Sequence, residues 1–239
     1  MRLEQIPLIL LAGGKSSRLG SPKGLLKVHD RLWLEAQCES FRRIGGRIIL
    51  LILGFDREYY LHTLGLDQEN PELPIEYAGC TVFVLRNMLP ELGPFTSVQC
   101  ACNWMVSHPH YPAAFCLSID TPVPSETVMS GLADQLEVGT SVVQPRMNSY
   151  NGHPLLLSRH FLLELLSLDP TSADSRLDIQ VRYSRGRGEV RSLQVDDPCI
   201  HLNLNTPDAW QSYIGTLSRN TDNAERTPEN QHSIIDDKH

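Results

Sequence analysis

No segment of the 239-residue chain approaches the ~18–20 consecutive apolar residues that span a bilayer. Positive charge is scarce: 21 Lys and Arg stand against 28 Asp and Glu, for a net charge of −7. That argues against attachment to nucleic acid through general basic charge. The six cysteines (Cys38, Cys80, Cys100, Cys102, Cys116 and Cys199) contain no C-x-x-C pair and no metal-ligand spacing. They read as mostly buried thiols in a reducing compartment, not as a disulfide framework. The first apolar run, Ile6 to Ala12, stops at Gly13-Gly14. A secretory signal needs a longer apolar stretch and a small-residue cleavage site after it. The expected location is cytoplasmic, with neither membrane nor nucleic acid as a partner.

The composition is that of an ordinary globular protein, with 41% apolar and 21% charged residues. A compact fold of this length buries roughly 70–75% of the surface of its unfolded chain, so no metal or disulfide is needed to complete a core. Four near-continuous apolar runs stand out: Ile6–Ala12, Arg47–Leu53, Thr81–Leu85 and Ala113–Ile119. Such runs mark strands covered on both faces. Between them Leu34, Cys38 and Phe41, and later Val98, Cys102 and Met105, recur at i, i+4, i+7, the spacing of helices. The alternation predicts an α/β fold: three layers, with a mostly parallel twisted sheet flanked by helices. Beyond residue 140 the pattern loosens. Val142-Val143, Leu155–Leu157, Val190–Val195 and Ile200–Leu204 are expected as shorter strands, and Phe161–Leu168 as a helix. A last helix is expected over Pro207–Ile214, with Thr206 as its N-cap. One domain over 1–216 and a polar, disordered tail over 217–239 complete the organisation.

The most informative segment runs Leu11-Ala12-Gly13-Gly14-Lys15-Ser16-Ser17-Arg18-Leu19-Gly20-Ser21-Pro22-Lys23. It follows a buried strand and precedes a helix, the place where ligands bind in open α/β sheets. Gly13 and Gly14 let the backbone turn sharply and approach a ligand. Successive N–H groups can then point at phosphate oxygens, while Arg18 adds a planar fork of donors and Lys23 a mobile point charge. A P-loop is excluded, because Ile9 stands where its first glycine belongs. Glycines at 13, 14 and 20 do not make the dinucleotide fingerprint either. A plain surface turn would need glycines but neither base.

This loop resembles the signature of the MobA-like nucleotidyltransferases, which include the molybdenum-cofactor guanylyl- and cytidylyltransferases, with sugar-phosphate nucleotidyltransferases as more distant relatives. The resemblance implies a nucleotide-diphospho-sugar transferase-like fold. It also implies that Leu11, Ala12, Gly13, Gly14, Arg18 and Lys23 hold an NTP (CTP or GTP). Asp120, in Asp120-Thr121-Pro122 at the end of the fourth run, is the implied Mg²⁺ ligand, since Mg²⁺ takes one or two carboxylates and keeps several waters; capping of the following helix is the alternative. Gly93-Pro94 looks like the family segment beside the base, where Ser97 either bonds the base or caps the helix. Asn151-Gly152-His153-Pro154-Leu155-Leu156-Leu157-Ser158-Arg159 is similar to a stretch of the cytidylyltransferase branch acting on the molybdenum cofactor, which implies an acceptor role for His153. The family's late D-x-D-T-P-x-D frame reads here Asn203-Leu204-Asn205-Thr206-Pro207-Asp208, with asparagine in place of both leading acids. Asn offers a metal a neutral oxygen but no charge. Arg182, Arg185, Arg187 and Arg191 form a basic cluster that either clamps an anionic acceptor or decorates a solvated loop. The implied activity is transfer of an NMP to a phosphorylated small-molecule acceptor with release of pyrophosphate, with molybdoenzymes as downstream partners. Arg18, Lys23 and Asp120 are its implied catalytic residues. A sugar phosphate as acceptor, or nucleotide binding without turnover, are the alternatives.

Overall fold

The computed structural model describes residues 1–15, 20–66 and 73–225, with only the backbone for 217–225. Arg18 lies outside the described residues. In chain order the elements are β1 (Leu8–Ala12), β2 (Lys27–Val28), β3 (Arg31–Leu32), α1 (Trp33–Arg43), β4 (Ile48–Leu53), α2 (Arg57–Leu64), β5 (Ile75–Tyr77), β6 (Cys80–Arg86), α3 (Pro94–Ser107), β7 (Ala113–Ser118), α4 (Glu126–Asp134), β8 (Val142–Met147), β9 (Tyr150–Asn151), β10 (Leu155–Ser158), α5 (Arg159–Leu166), α6 (Leu177–Gly186), β11 (Val190–Gln194) and α7 (Pro207–Glu225).

The four apolar runs become β1, β4, β6 and β7, and they form the parallel centre of one sheet in the order β7-β1-β4-β6. Alternation explains why each run is apolar throughout. Leu8, Leu10, Ile49, Leu51 and Phe115 point into one core, beneath α1, α4 and α7. Ile9, Leu50, Ile52, Ala114 and Cys116 point into the other, beneath α3, α5 and α6. A strand with helices on both faces has no solvent side on which to place polar residues. Away from the centre the sheet is mixed: β10 runs antiparallel between β7 and β8, and β5 pairs antiparallel with β6 at the far edge. The three-layer α/β expectation therefore holds.

Three expectations are corrected. Ile200–Leu204 is not a strand. Pro198–His201 is a 3-10 turn in which the Asp197 side chain accepts from the Cys199 N–H, and Ile200 turns into the core. The arginine cluster is not a loop, because Arg182 and Arg185 lie on α6 and Arg191 on β11. The last helix starts as expected, with the Ala209 N–H donating to Thr206 Oγ1 at 3.2 Å, but continues past Ile214 to Glu225. Residues 226–239 of the expected tail lie outside the described residues. The thiols of Cys38, Cys80, Cys102 and Cys116 are buried. Burial pushes that of Cys102 up to about 12.

One contact links the fold to the residues of interest. Tyr60 of α2 is buried, and its hydroxyl accepts from the Gly24 N–H at 2.9 Å, next to Lys23. A Cβ on Gly24 would stand 2.7 Å from that oxygen. Tyr60→Phe leaves a buried N–H without its acceptor, which costs about 1–3 kcal/mol. Urea denaturation of the variant should show that loss, with an unchanged m-value.

Candidate active site

The strand order reverses beside β1. The chain builds outward from β1 to β4 and β6, then returns to place β7 on the opposite side of β1. Such a reversal opens a crevice at the carboxyl ends of the two strands, because their connections leave in opposite directions. Here Leu11 is paired with Ser118, and the Ile119 N–H donates to the Leu11 carbonyl at 3.0 Å. Parallel register thus brings Gly13-Gly14 and Asp120 to the same edge.

The glycine segment is shaped by close approach. The Phe55 N–H donates to the Gly13 carbonyl. A Cβ on Gly13 would lie 3.1 Å from Ser97 Oγ and 3.3 Å from the Gly54 nitrogen, and one on Gly54 only 2.5 Å from the Gly13 oxygen. At Gly14, in contrast, a Cβ meets nothing within 4 Å, so no described neighbour demands glycine there. On the opposite wall Gly93, at φ +92°, adopts a left-handed conformation that suits only glycine, and Pro94 then starts α3. These walls enclose a cavity of about 520 Å³ lined by Leu11, Ala12, Gly13 and Gly14 and by Lys23, Phe55, Asn87, Ser97 and Asp120.

Ser97 does not cap α3. It sits in the first turn, buried, and its hydroxyl accepts from Asn87 Nδ2 at 2.9 Å. Asn87 also donates to Thr96 Oγ1 at 2.9 Å and accepts from the Leu89 N–H at 2.9 Å. A buried polar group is tolerated when it is bonded in this way. Lys15 Nζ lies 4.5 Å above the Phe55 ring at the rim, a cation–π contact.

Lys23 Nζ reaches Asp120 Oδ2 at 3.0 Å, and both side chains are only 15% exposed. It also donates to Asn205 Oδ1, and Asn205 in turn donates to Asn203 Oδ1. Asp120, Lys23, Asn205 and Asn203 therefore form one chain of contacts. The Asp120 backbone is held as well, its carbonyl accepting from the Leu204 N–H at 2.8 Å. Among the described residues no group of three or more His, Cys, Asp and Glu is arranged to hold a metal. The donor set is one carboxylate with neutral amide oxygens. That fits a divalent ion carried largely by phosphate oxygens, with Asp120 as its protein ligand, and not one caged by the protein alone.

A second cavity, of about 370 Å³, shares Ser118 and Asp120 with the first and is lined by Asn151, His153, His201 and Asn203. The His153 N–H donates to the Ile200 carbonyl at 2.9 Å, and the His153–Pro154 peptide is cis. The His201 ring approaches the Tyr150 carbonyl at 3.3 Å. His153 lines this cavity, and desolvation by the surrounding walls holds its pKa below the ordinary 6.5; Asp120 opposes this shift and His201 reinforces it. Asp208 sits in the first turn of α7, where a negative charge is favoured. None of the four clustered arginines lines either cavity. Arg187 bonds Glu189 and Glu164, and Arg191 bonds Glu137.

Sequence reasoning missed Asn87, Phe55, Asn151 and His201. Phe55 and Asn87 follow the second and third apolar runs, so the rule that located Gly13 and Asp120 would have found them too. Asn151 stood in the stretch that singled out His153 but was given no role there, and His201 carried no local signal.

A model of the MobA-like NTP transferase domain matches residues 8–183. The chain belongs to that family. Among curated protein sequences, none matches. The structure of Rv0371c from Mycobacterium tuberculosis H37Rv is 26% identical, with a TM-score of 0.65, covering 88% of this chain and 98% of that one. A second structure of Rv0371c, described as a complex with manganese, is 24% identical over 88% of this chain and 98% of the other, with a TM-score of 0.63. A nucleotidyl transferase from Methanothermobacter thermautotroptrophicus is 18% identical, with a TM-score of 0.68, over 90% of this chain and 98% of that one. Domain and fold are thus those of nucleotidyltransferases. Among the described residues no helix is long and apolar enough to cross a membrane.

The environment of His153 is directly testable. Its NMR titration midpoint should lie below 6.5, and Asp120→Asn, which removes the one opposing charge, should lower it further. The sign for stability follows. The unfolded chain takes up this proton first, so the contribution of His153 is present above pH 6.5 and is lost as pH falls toward the lowered folded-state value.

Proposed function

We propose that this member of the family transfers an NMP from an NTP to a phosphorylated small-molecule acceptor and releases pyrophosphate. The observation that carries the reading is the pair of cavities sharing Asp120 as a common wall. One is lined by glycine backbone, Lys23 and the start of α3, and suits a nucleotide. The other, lined by His153, His201, Asn151 and Asn203, lies where an acceptor would meet the α-phosphate.

An acceptor phosphate oxygen is already anionic, so in-line attack needs neither a protein nucleophile nor a strong base. Catalysis is then positioning and charge compensation. The Gly13-Gly14 backbone approaches the triphosphate, and Gly14 leaves room for it. Lys23 would move from Asp120 to the phosphates, a short transfer for a flexible ammonium. Arg18 belongs to the same loop and is assigned to the phosphates by sequence. Asp120 is the carboxylate for Mg²⁺, or for manganese as in the Rv0371c complex. When bound, such an ion would neutralise charge on the pyrophosphate leaving group. A single electrostatic donor of this kind contributes on the order of 10²–10³ in rate, about 3–4 kcal/mol. Ser97, held by Asn87, is assigned to the base edge, and His153 to the acceptor. The stretch around His153 favours the molybdenum cofactor as acceptor, with CTP as donor. GTP and a sugar phosphate are the alternatives.

Asn203 and Asn205 favour a second reading, nucleotide binding without turnover. Asn205 turns its oxygen to Lys23 and adds no negative charge beside Asp120. Pyrophosphate release from CTP or GTP with Mg²⁺ and a panel of phosphorylated acceptors separates the two readings. Under the first, Asp120→Asn keeps the fold and abolishes metal-dependent turnover, whereas Lys23→Ala weakens NTP binding more than acceptor binding in calorimetry. Asn205→Asp should raise metal affinity or turnover several-fold. An unchanged value would show that one carboxylate suffices.

A further inference from the structure

Asp120 sits on a segment that belongs to no helix or strand. β7 ends at Ser118 and α4 begins only at Glu126, with Pro122 and Pro124 between them. Beyond the Ile119 N–H, which bonds the Leu11 carbonyl of β1, its backbone groups have no ladder partners and must be bonded elsewhere. Two side chains of α1 supply those bonds. Trp33 Nε1 donates to the Ile119 carbonyl at 2.6 Å. Gln37 Nε2 donates to the Thr121 carbonyl at 2.7 Å, while Gln37 Oε1 accepts from the Val123 N–H at 2.9 Å. With the Leu204 N–H on the Asp120 carbonyl, the carbonyls of 119, 120 and 121 are each held in turn.

Trp33 and Gln37 lie one helical turn apart and so share a face of α1. Both are buried, 2% and 1% exposed. Their inward neighbours Leu34, Cys38 and Phe41 are apolar. A glutamine buried in such company is costly unless its amide is fully used, and here both ends of it are. The Trp33 ring is in turn fixed edge-on by Trp210, at 5.4 Å, and Tyr213, at 5.6 Å, both on α7. The clamp holds the backbone on both sides of the one carboxylate at the junction of the two cavities.

We propose that Trp33 and Gln37 are positioning residues that aim the Asp120 carboxylate at a metal–nucleotide complex. The inference rests on the reading of Asp120 as the metal ligand. The alternative is that the clamp merely terminates β7. A misplacement of about 1 Å in a reacting group can cost on the order of 10² in rate, so a positioning role leaves a mark that a terminating role does not.

The test is Mn²⁺ binding in the presence of saturating CTP, and separately GTP, read by electron paramagnetic resonance on the full chain. Wild type is compared with Asp120→Asn, Trp33→Phe and Gln37→Leu. Trp33→Phe keeps an aromatic ring while removing the N–H together with part of the indole, and Gln37→Leu removes both polar ends of the amide at similar volume, so each variant keeps the test sound if the other folds poorly. The expected result is Mn²⁺ binding weakened about 3–10-fold in Trp33→Phe, with metal-free nucleotide binding unchanged. Adding Trp33→Phe to Asp120→Asn should cause no further loss, because the carboxylate being aimed is already gone. Wild-type Mn²⁺ binding in Trp33→Phe and Gln37→Leu, beside a clear defect in Asp120→Asn, overturns the positioning role and leaves the site reading intact. Unchanged Mn²⁺ binding in Asp120→Asn overturns both.

Discussion

The parallel pairing of β1 with β7, on the opposite side of β1 from β4, is the constraint on which the site depends. Two segments more than 100 residues apart meet because Leu11 pairs with Ser118. A shift by one residue would turn every side chain of β7 to the other face and exchange Phe115 and Leu117 with Ala114 and Cys116 between the cores. The two cores therefore enforce the register, and the register places Asp120 beside Gly13. The precision of the polar edge derives from apolar packing some distance below it.

At that edge the molecule departs from the apolar rule and compensates each time by hydrogen bonding. Asn87, Ser97 and Gln37 are buried polar residues, and each is bonded. Such groups add little net stability compared with an apolar residue of similar volume. They do hold loops in one conformation, as Asn87 joins the end of β6 to the start of α3. A site on loops needs this support, because loop backbone has no ladder of its own.

Charge at the junction of the cavities is close to balanced. Asp120 faces Lys23, and the two asparagines add dipoles but no net charge. Two further acids would hold a divalent ion more strongly and would hold Lys23 more strongly as well. Under the proposed function, balance of this kind would suit a metal that arrives with its nucleotide, since the triphosphate would supply the missing negative charge. Two of the arginines that looked available as an anion clamp, Arg187 and Arg191, are instead used by Glu164 and Glu189 and by Glu137.

The central strands, helices α1, α3 and α5 and the start of α7, the glycine loop and the placing of Lys23 and Asp120 were legible in the amino-acid order alone. They rest on local signals: unbroken apolar runs, helical spacing, glycine next to fixed charge, and a carboxylate at a strand end. The turn at Pro198–His201, the pairing of Arg187 and Arg191 and the clamp from Trp33 and Gln37 were not, nor was the presence of His201 beside His153. The clamp, the Arg191–Glu137 pair and the meeting of His201 with His153 depend on residues far apart in the chain, and a helix residue reads as core or as clamp only when its neighbour across the fold is known. Sequence determined which groups are available. The strand reversal beside β1 decided which of them meet, because only the packed cores on both sheet faces choose one register and one order of strands.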